Sequence, residues 1–275
     1  MPTPALEPAT TAAATATAAA VSGAGPLLRV SGLHKRYGAH EVLRGIDLVV
    51  EPGNLVAILG QSGTGKSVTL RQIVGLERPD AGRIVVGGVP IERYVAMPPE
   101  EKPFRIAMVF QNAALLASLT VAENVGLRLR EQGTLPPRDI REATRRVLEQ
   151  VELAGTEDQY PTQLSGGMRK RAAIARALAV DPELILYDEP TADLDPILTE
   201  QIGSLIARIR DTRGATQMFV THNVPLARAI ADRIAVLDQG RIAEYLTPEE
   251  LVASRYPLTQ EFLRAAGLEH GSGGV

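Results

Sequence analysis

The stretch Leu55-Val56-Ala57-Ile58-Leu59-Gly60-Gln61-Ser62-Gly63-Thr64-Gly65-Lys66-Ser67-Val68 decides the fold. Its five leading apolar residues read as a strand covered on both faces. A glycine-rich loop follows at once, and Lys66 to Val74 has helical character. Gly60 to Ser67 fits the phosphate-binding pattern G-x-x-x-x-G-K-[ST], in the strand–loop–helix setting where that pattern works. Glycines let the backbone curl so that successive N–H groups converge on phosphate oxygens. The positive end of the following helix adds to the attraction. Lys66 is assigned to the β- and γ-phosphates, and the Ser67 hydroxyl to Mg²⁺. Only four of the 29 basic residues are lysines (Lys35, Lys66, Lys102, Lys170), so a lysine here runs against the chain's own preference. A compact ammonium fits between two phosphates where a forked guanidinium does not.

A second apolar run, Leu184-Ile185-Leu186-Tyr187, ends in Asp188-Glu189. Taken alone, two acids after a strand can be a solvated strand end. Behind a phosphate loop they suit a Mg²⁺ ligand (Asp188) and a general base for an attacking water (Glu189).

Further strands are expected at Leu27–Val30, Val42–Leu43, Ile46–Val50, Arg83–Val86, Ile106–Phe110 and Met218–Thr221. Ile234–Leu237 and Arg241–Tyr245, joined by Asp238-Gln239-Gly240, read as a hairpin. Helical patterning covers Asn112–Gln163, strongest over Asp139–Leu153, then Ser165–Ala179 and Thr199–Thr212. Buried strands alternating with helices imply α/β architecture on a mainly parallel sheet, with the middle run of helices as a separate lobe.

The 275 residues are 45% hydrophobic and 22% charged, enough to build one large domain or two small ones. A formal net charge of −3 gives no electrostatic case for a nucleic-acid partner. The absence of cysteine removes disulfides, thiolate catalysis and zinc–thiolate sites. No window reaches the roughly 18 apolar residues of a membrane span, so another chain must cross any membrane this one serves. Residues 1–25 are Ala/Thr-rich with Glu7 as the sole charge, and are expected to be a disordered tail. The folded domain is expected over 26–265, with the helical subdomain at about 112–180, and a flexible Gly-rich tail over 266–275.

Leu164-Ser165-Gly166-Gly167-Met168 then opens a helix rich in Ala and Arg. Here the sequence resembles the ATP-binding subunits of ABC transporters, whose signature loop reads LSGGQ or a close variant. The resemblance covers roughly 28–246 and keeps six motifs in one order. It implies a P-loop nucleotide-binding fold with a mainly parallel core sheet, an antiparallel β subdomain and a helical subdomain. It implies ATP and Mg²⁺ as ligands and ATP hydrolysis as the reaction. Tyr37 matches the aromatic that stacks on adenine, and Gln111 the loop that senses magnesium and the membrane partner. His222 matches the switch histidine at the γ-phosphate, and Asp195 the D-loop. The implied ATP-binding set is Tyr37, Gly60, Gln61, Ser62, Gly63, Thr64, Gly65, Lys66, Ser67, Val68 and Gln111. Ser67, Gln111 and Asp188 hold the metal, and Lys66, Glu189 and His222 carry the catalysis. Ser165, Gly166, Gly167, Met168 and Asp195 complete the ATP site of a second copy, which implies a homodimer. Met168 replaces the common Gln, Val68 stands where Thr is commonest, and Asp193 adds an acid to the D-loop.

The Gly65–Val68 and Ser165–Met168 variants, with Phe110–Val121 and Leu186–Thr191, are similar to the Mla/Mce-type lipid-transport branch. That branch implies a phospholipid or other hydrophobic cargo, a separate permease and an MCE-domain partner. It places the chain peripherally on the cytoplasmic face of a bacterial inner membrane. The alternatives are the ATPase of an importer for small polar solutes such as amino acids, and a soluble non-transport ABC protein. The apolar stretch Ala113–Leu119 is expected either to receive a permease helix or to pack within the helical lobe.

Overall fold

A computed structural model describes residues 27–268. The chain opens with β1 (Leu28–Tyr37), antiparallel to β2 (His40–Val50). After β3 (Leu55–Leu59) and α1 (Lys66–Ile73), β4 (Ala81–Val86) pairs with the other edge of β1, and the short β5 (Val89–Pro90) closes a four-stranded antiparallel sheet. The helix α2 (Ile91–Ala96) and the strand β6 (Ile106–Val109) lead into the helical lobe. That lobe contains α3 (Val121–Gln132), α4 (Pro137–Gln150) and α5 (Gly166–Leu178). There follow β7 (Leu184–Asp188), α6 (Pro196–Arg213), β8 (Thr216–Thr221), α7 (Val224–Ile230), β9 (Arg233–Asp238) and β10 (Arg241–Leu246). The helices α8 (Pro248–Ala253) and α9 (Pro257–Ala265) end the described chain.

The second sheet has the order β10-β9-β3-β8-β7-β6. Its β9, β3, β8, β7 and β6 are parallel, and β10 joins by an antiparallel hairpin. β3 lies inside this sheet, and all five of its residues are fully buried. Strand alternation divides them. Leu55, Ala57 and Leu59 face one core with Tyr187, Phe219 and residues of α5 and α6. Val56 and Ile58 face another, shared with α1 and the antiparallel sheet. This explains why the run carries no polar residue at all. It also places the loop after β3 at the carboxyl edge of a parallel sheet, where β7 and β8 end as well.

The expected hairpin and the strands at Leu55–Leu59, Arg83–Val86 and Leu184–Tyr187 are present, with β4 starting earlier and β7 reaching Asp188. β1 and β2 are longer than the sequence suggests. Gly32 and Gly45 look like strand breaks, yet they sit at positive φ (53° and 96°) within one bulged ladder. The Gly32 N–H donates to Asp47 Oδ1 at 2.9 Å, restoring the hydrogen bond that the bulge removes. The helical lobe begins at Val121, not at Asn112. Thr120 and Glu123 form a reciprocal capping box that starts α3 there. Asp195 caps α6 by accepting from Leu198 N–H at 2.9 Å, so that helix starts at Pro196 and not at Thr199. Ala266–Leu268 fold back on α9 through the Leu268 N–H to Leu263 carbonyl bond of 2.9 Å. The rest of the expected 266–275 tail, and the 1–25 tail, lie outside the described residues.

Candidate functional site

The loop between β3 and α1 tolerates no side chain at two of its glycines. A Cβ on Gly60 would lie 2.8 Å from the Leu237 carbonyl, and Gly65 has φ +103° with Leu43 Cδ2 only 2.5 Å from its hypothetical Cβ. Lys66, the first residue of α1, folds its ammonium back over the loop. It donates to the Gly60 carbonyl at 2.8 Å and the Gln61 carbonyl at 3.1 Å. Thr64 Oγ1 ties the same loop by donating to Gln61 O at 2.8 Å.

β7 delivers the acids. Ser67 Oγ donates to Asp188 Oδ1 at 2.6 Å, joining the loop helix to the strand end. Glu189 leaves the strand with φ +45°, a left-handed conformation that a non-glycine residue holds at a cost of about 1–2 kcal/mol. Its side chain is buried, only 12% exposed, with Oε1 3.4 Å from Lys66 Nζ and Oε2 3.2 Å from His222 Nδ1. His222 follows β8 and stays exposed. Three strand or helix ends thus bring an ammonium, a buried carboxylate and an imidazole into contact.

These groups open on a cavity of about 500 Å³ lined by Ser62, Gly63, Gly65, Lys66, Ser67, Val68, Gln111, Glu189 and His222 among the expected residues. His40, Val42 and Ala192 line it too, and only their neighbourhood in the chain marks them. Gly60, Gln61, Thr64 and Asp188 do not line it. Tyr37 lies outside it, 46% exposed, with its hydroxyl donating to Glu77 and Lys35 Nζ 5.6 Å from its ring centre. Its partner across the β1–β2 ladder, His40, does line the cavity. Burial alone would raise the Glu77 carboxyl, but hydrogen bonds from Tyr37, Arg71 and Lys35 outweigh it and hold the group below its ordinary range.

The residues assigned to Mg²⁺ fit that ion. Mg²⁺ takes oxygen donors, usually one or two from protein and the rest from substrate phosphates and water. Ser67 and Asp188 supply two hard oxygens in contact, and the Gln111 amide faces the same cavity. Among the described residues no group of three or more His, Cys, Asp or Glu forms a protein-only cage.

Ser165 caps α5, its hydroxyl accepting from Met168 N–H at 3.3 Å. Ser165 and Gly166 are exposed, and a Cβ on Gly167 would lie 3.2 Å from Leu198 Cδ2. Met168 packs against the core together with Leu115 and Leu194. None of these residues, nor Asp195, lines the cavity of its own chain. Asp193 has φ +64°, a conformation Asp tolerates better than most residues, so this acid occupies a turn geometry usually given to glycine.

The sequence reading overlooked Lys170, Arg176 and Asn124. Lys170 is buried and its Nζ donates to the Gln111 carbonyl. Asn124 is fully buried, accepting from Leu116 N–H and donating to the carbonyls of Leu116, Leu119 and Thr120. Asn inside an otherwise amphipathic helix was the available signal for the last of these.

A family model described as ABC transporter matches residues 43–192. The chain is 41% identical over 246 residues to the sulfate/thiosulfate import ATP-binding protein CysA of Mycobacterium tuberculosis, covering 88% of this chain and 68% of that one. It spans 62–68% of the length of the CysA proteins it matches. It is 40% identical over 247 residues to the L-cystine transport system ATP-binding protein TcyN of Escherichia coli, covering 86% and 96% of the two chains. The dimeric post-hydrolysis structure of the ATP-binding cassette MJ0796, bound to ADP and Pi, superposes with a TM-score of 0.71 at 31% identity, covering 80% of this chain and 98% of that one.

Proposed function

Because this chain belongs to the ABC transporter family, as an ATP-binding and ATP-hydrolysing subunit, we propose that it drives a separate membrane permease for a small polar solute. The observation that carries the chemistry is the buried Glu189 carboxylate held between Lys66 and His222 at the mouth of the phosphate loop. The solute class rests on relatives named for sulfate/thiosulfate import and cystine transport, at about 40% identity. These relatives favour the importer over the lipid cargo suggested by the motif variants.

In this reading Ser67, Gln111 and Asp188 hold Mg²⁺, which supplies charge neutralisation at the phosphates when bound. Loop N–H groups and Lys66 bind the β- and γ-phosphates. Glu189 accepts a proton from water at a carboxylate oxygen as that water attacks the γ-phosphorus, and the bond to the bridging oxygen of ADP breaks. His222, hydrogen-bonded to Glu189, fixes that carboxylate and faces the γ-phosphate. ADP and phosphate leave. Tyr37, anchored by its hydroxyl at Glu77, stacks on adenine. Ser165 to Met168 and Asp195 close the site of a second copy, in keeping with their absence from the cavity of their own chain.

A second reading, transport of a phospholipid or other hydrophobic molecule with an MCE-domain partner, keeps one observation in its favour. The segment similar to that branch presents Leu116 47% exposed beside exposed Ala114 and Ala117, an apolar face available to a permease helix. No helix among the described residues is long and apolar enough to cross a membrane. Either reading places the chain peripherally at the cytoplasmic side of a permease. Tagged purification from mild-detergent extracts, with mass spectrometry of the companions, separates them. A permease with a solute-binding protein supports the importer, and a permease with an MCE-domain protein supports the lipid reading. A chain that copurifies with no membrane protein contradicts both.

A further inference from the structure

The turn that carries Gln111 is strained. Ala113 and Ala114 both occupy the left-handed region, with φ 63° and 47°. There the Cβ of an L-residue crowds the following carbonyl, and two alanines in succession persist only under outside restraint. The restraint comes from α5. Lys170 Nζ donates to the Gln111 carbonyl. Arg176 donates from one nitrogen to the Ala113 carbonyl at 2.9 Å and from another to the Ala114 carbonyl at 2.5 Å. Both side chains are at least partly buried: burial lowers the Lys170 pKa against the upward pull of Asp193, Glu189 and Asp188, and burial lowers that of Arg176. Two cations, Lys170 buried and Arg176 half-buried, therefore give hydrogen bonds to three carbonyls of one short turn, those of Gln111, Ala113 and Ala114.

We propose that Lys170 and Arg176 are positioning residues that clamp the strained Gln111–Ala114 turn to α5. The helix they belong to starts at Ser165, so the clamp makes the Gln111 side chain and the signature start move as one body. The functional part of this inference rests on reading Gln111 as a metal-holding residue.

The test uses the full chain with Lys170→Met and Arg176→Met, which keep the bulk of the stems and remove the cations. Amide exchange is followed at Ala113, whose N–H bonds to Phe110 O at 3.0 Å, and at Leu116, whose N–H bonds to Asn124 Oδ1 at 2.7 Å. Each variant is expected to exchange about 10-fold faster at these two amides, with β6 and β7 unchanged. The Mg²⁺ concentration for half-maximal ATP hydrolysis is expected to rise about 10-fold, the lower end of the range for losing a group that orients a metal ligand. Ala114→Gly in the Lys170→Met chain restores protection, because glycine accepts φ 47° without penalty. Lys170→Arg restores it by returning a donor. Unchanged exchange at both amides overturns the clamp. So does an equal rise throughout β6 and β7, which would mean that the cations only support the fold. If Gln111→Ala leaves the Mg²⁺ dependence unaltered while Lys170→Met still loosens the turn, the metal role of Gln111 falls and the clamp stands.

Discussion

Replacing Glu189 by Gln removes one charge and one proton-accepting site while keeping the shape of the side chain. The carboxylate contacts Lys66 Nζ at 3.4 Å and His222 Nδ1 at 3.2 Å, and the side chain is buried. An amide in the same place still offers an oxygen to one of these partners, so the local packing survives. It cannot take the proton of an attacking water. Loss of a positioned base costs about 10²–10⁴ in rate, or about 2.7–5.4 kcal/mol of transition-state stabilisation. Binding moves in the other direction. A buried carboxylate beside a triphosphate repels it, and the amide does not, so ATP affinity is expected to stay equal or increase. The signature is therefore a large fall in kcat without a rise in KM, as for an interaction made only in the transition state. Steady-state phosphate release over a range of ATP concentrations gives both quantities, and equilibrium titration with a fluorescent ATP analogue gives the affinity. A Glu189→Gln chain that binds the analogue and hydrolyses ATP within about threefold of the parent refutes the general-base role, because even the weakest base effect exceeds that.

Two further outcomes are expected. Tyr187 is fully buried, and its hydroxyl donates to Gln217 Oε1 at 2.6 Å; Tyr187→Phe strands that oxygen and costs about 1–3 kcal/mol. Thermal unfolding should then shift down by roughly 2–10 °C for a chain of this size, and an unchanged midpoint would show that the pair contributes nothing. The Glu77 carboxyl, below its ordinary value of 4.5 in the folded chain, adds stability that is present above pH 4.5 and lost as pH falls through the folded value. Glu77→Gln should therefore unfold at lower temperature than the parent at pH 7 and converge with it in acid; a gap that widens in acid would reverse the sign of this linkage.

Much of the fold was legible because several local signals agreed. The all-apolar Leu55–Leu59 followed by Gly60-Gln61-Ser62-Gly63-Thr64-Gly65-Lys66-Ser67 fixed a buried parallel strand and its phosphate loop together. Lys66, Ser67, Gln111, Glu189 and His222 met at one cavity because each stands at or just past the start or end of an element whose period the sequence displays. Less of the irregular structure was legible. Gly32 and Gly45 carry bulges, and a glycine in a strand looks the same whether it bends the ladder or ends it. The stretch before Val121 has helical composition, but its hydrogen bonds go to the buried side chain of Asn124, a tertiary arrangement with no local period. Lys170 and Arg176 lie in a helix that reads only as rich in Ala and Arg, and the path of the Gln111 turn shows what they hold. The cargo was the least legible feature. Gly65–Val68 and Ser165–Met168 pointed to lipid, while the similarity of the chain as a whole runs to sulfate and cystine transporters. Met168 illustrates why a motif variant is weak evidence of cargo, since its side chain, partly buried, packs against the hydrophobic core.

In the proposed mechanism, two copies of this chain enclose ATP between the phosphate loop of one and the signature of the other. The chain has no cysteine, so introduced thiols report without background. Ser62, in the phosphate loop, and Ser165, at the signature, are both exposed. Ser62→Cys and Ser165→Cys would be combined with Glu189→Gln, treated with a short bifunctional thiol reagent, and resolved on denaturing gels. A covalent dimer is expected that forms with Mg²⁺ and ATP, is weak without nucleotide, and disappears when either cysteine is absent from both copies. Cross-linking that ignores ATP, or a chain that stays monomeric while ATP is bound, would contradict it.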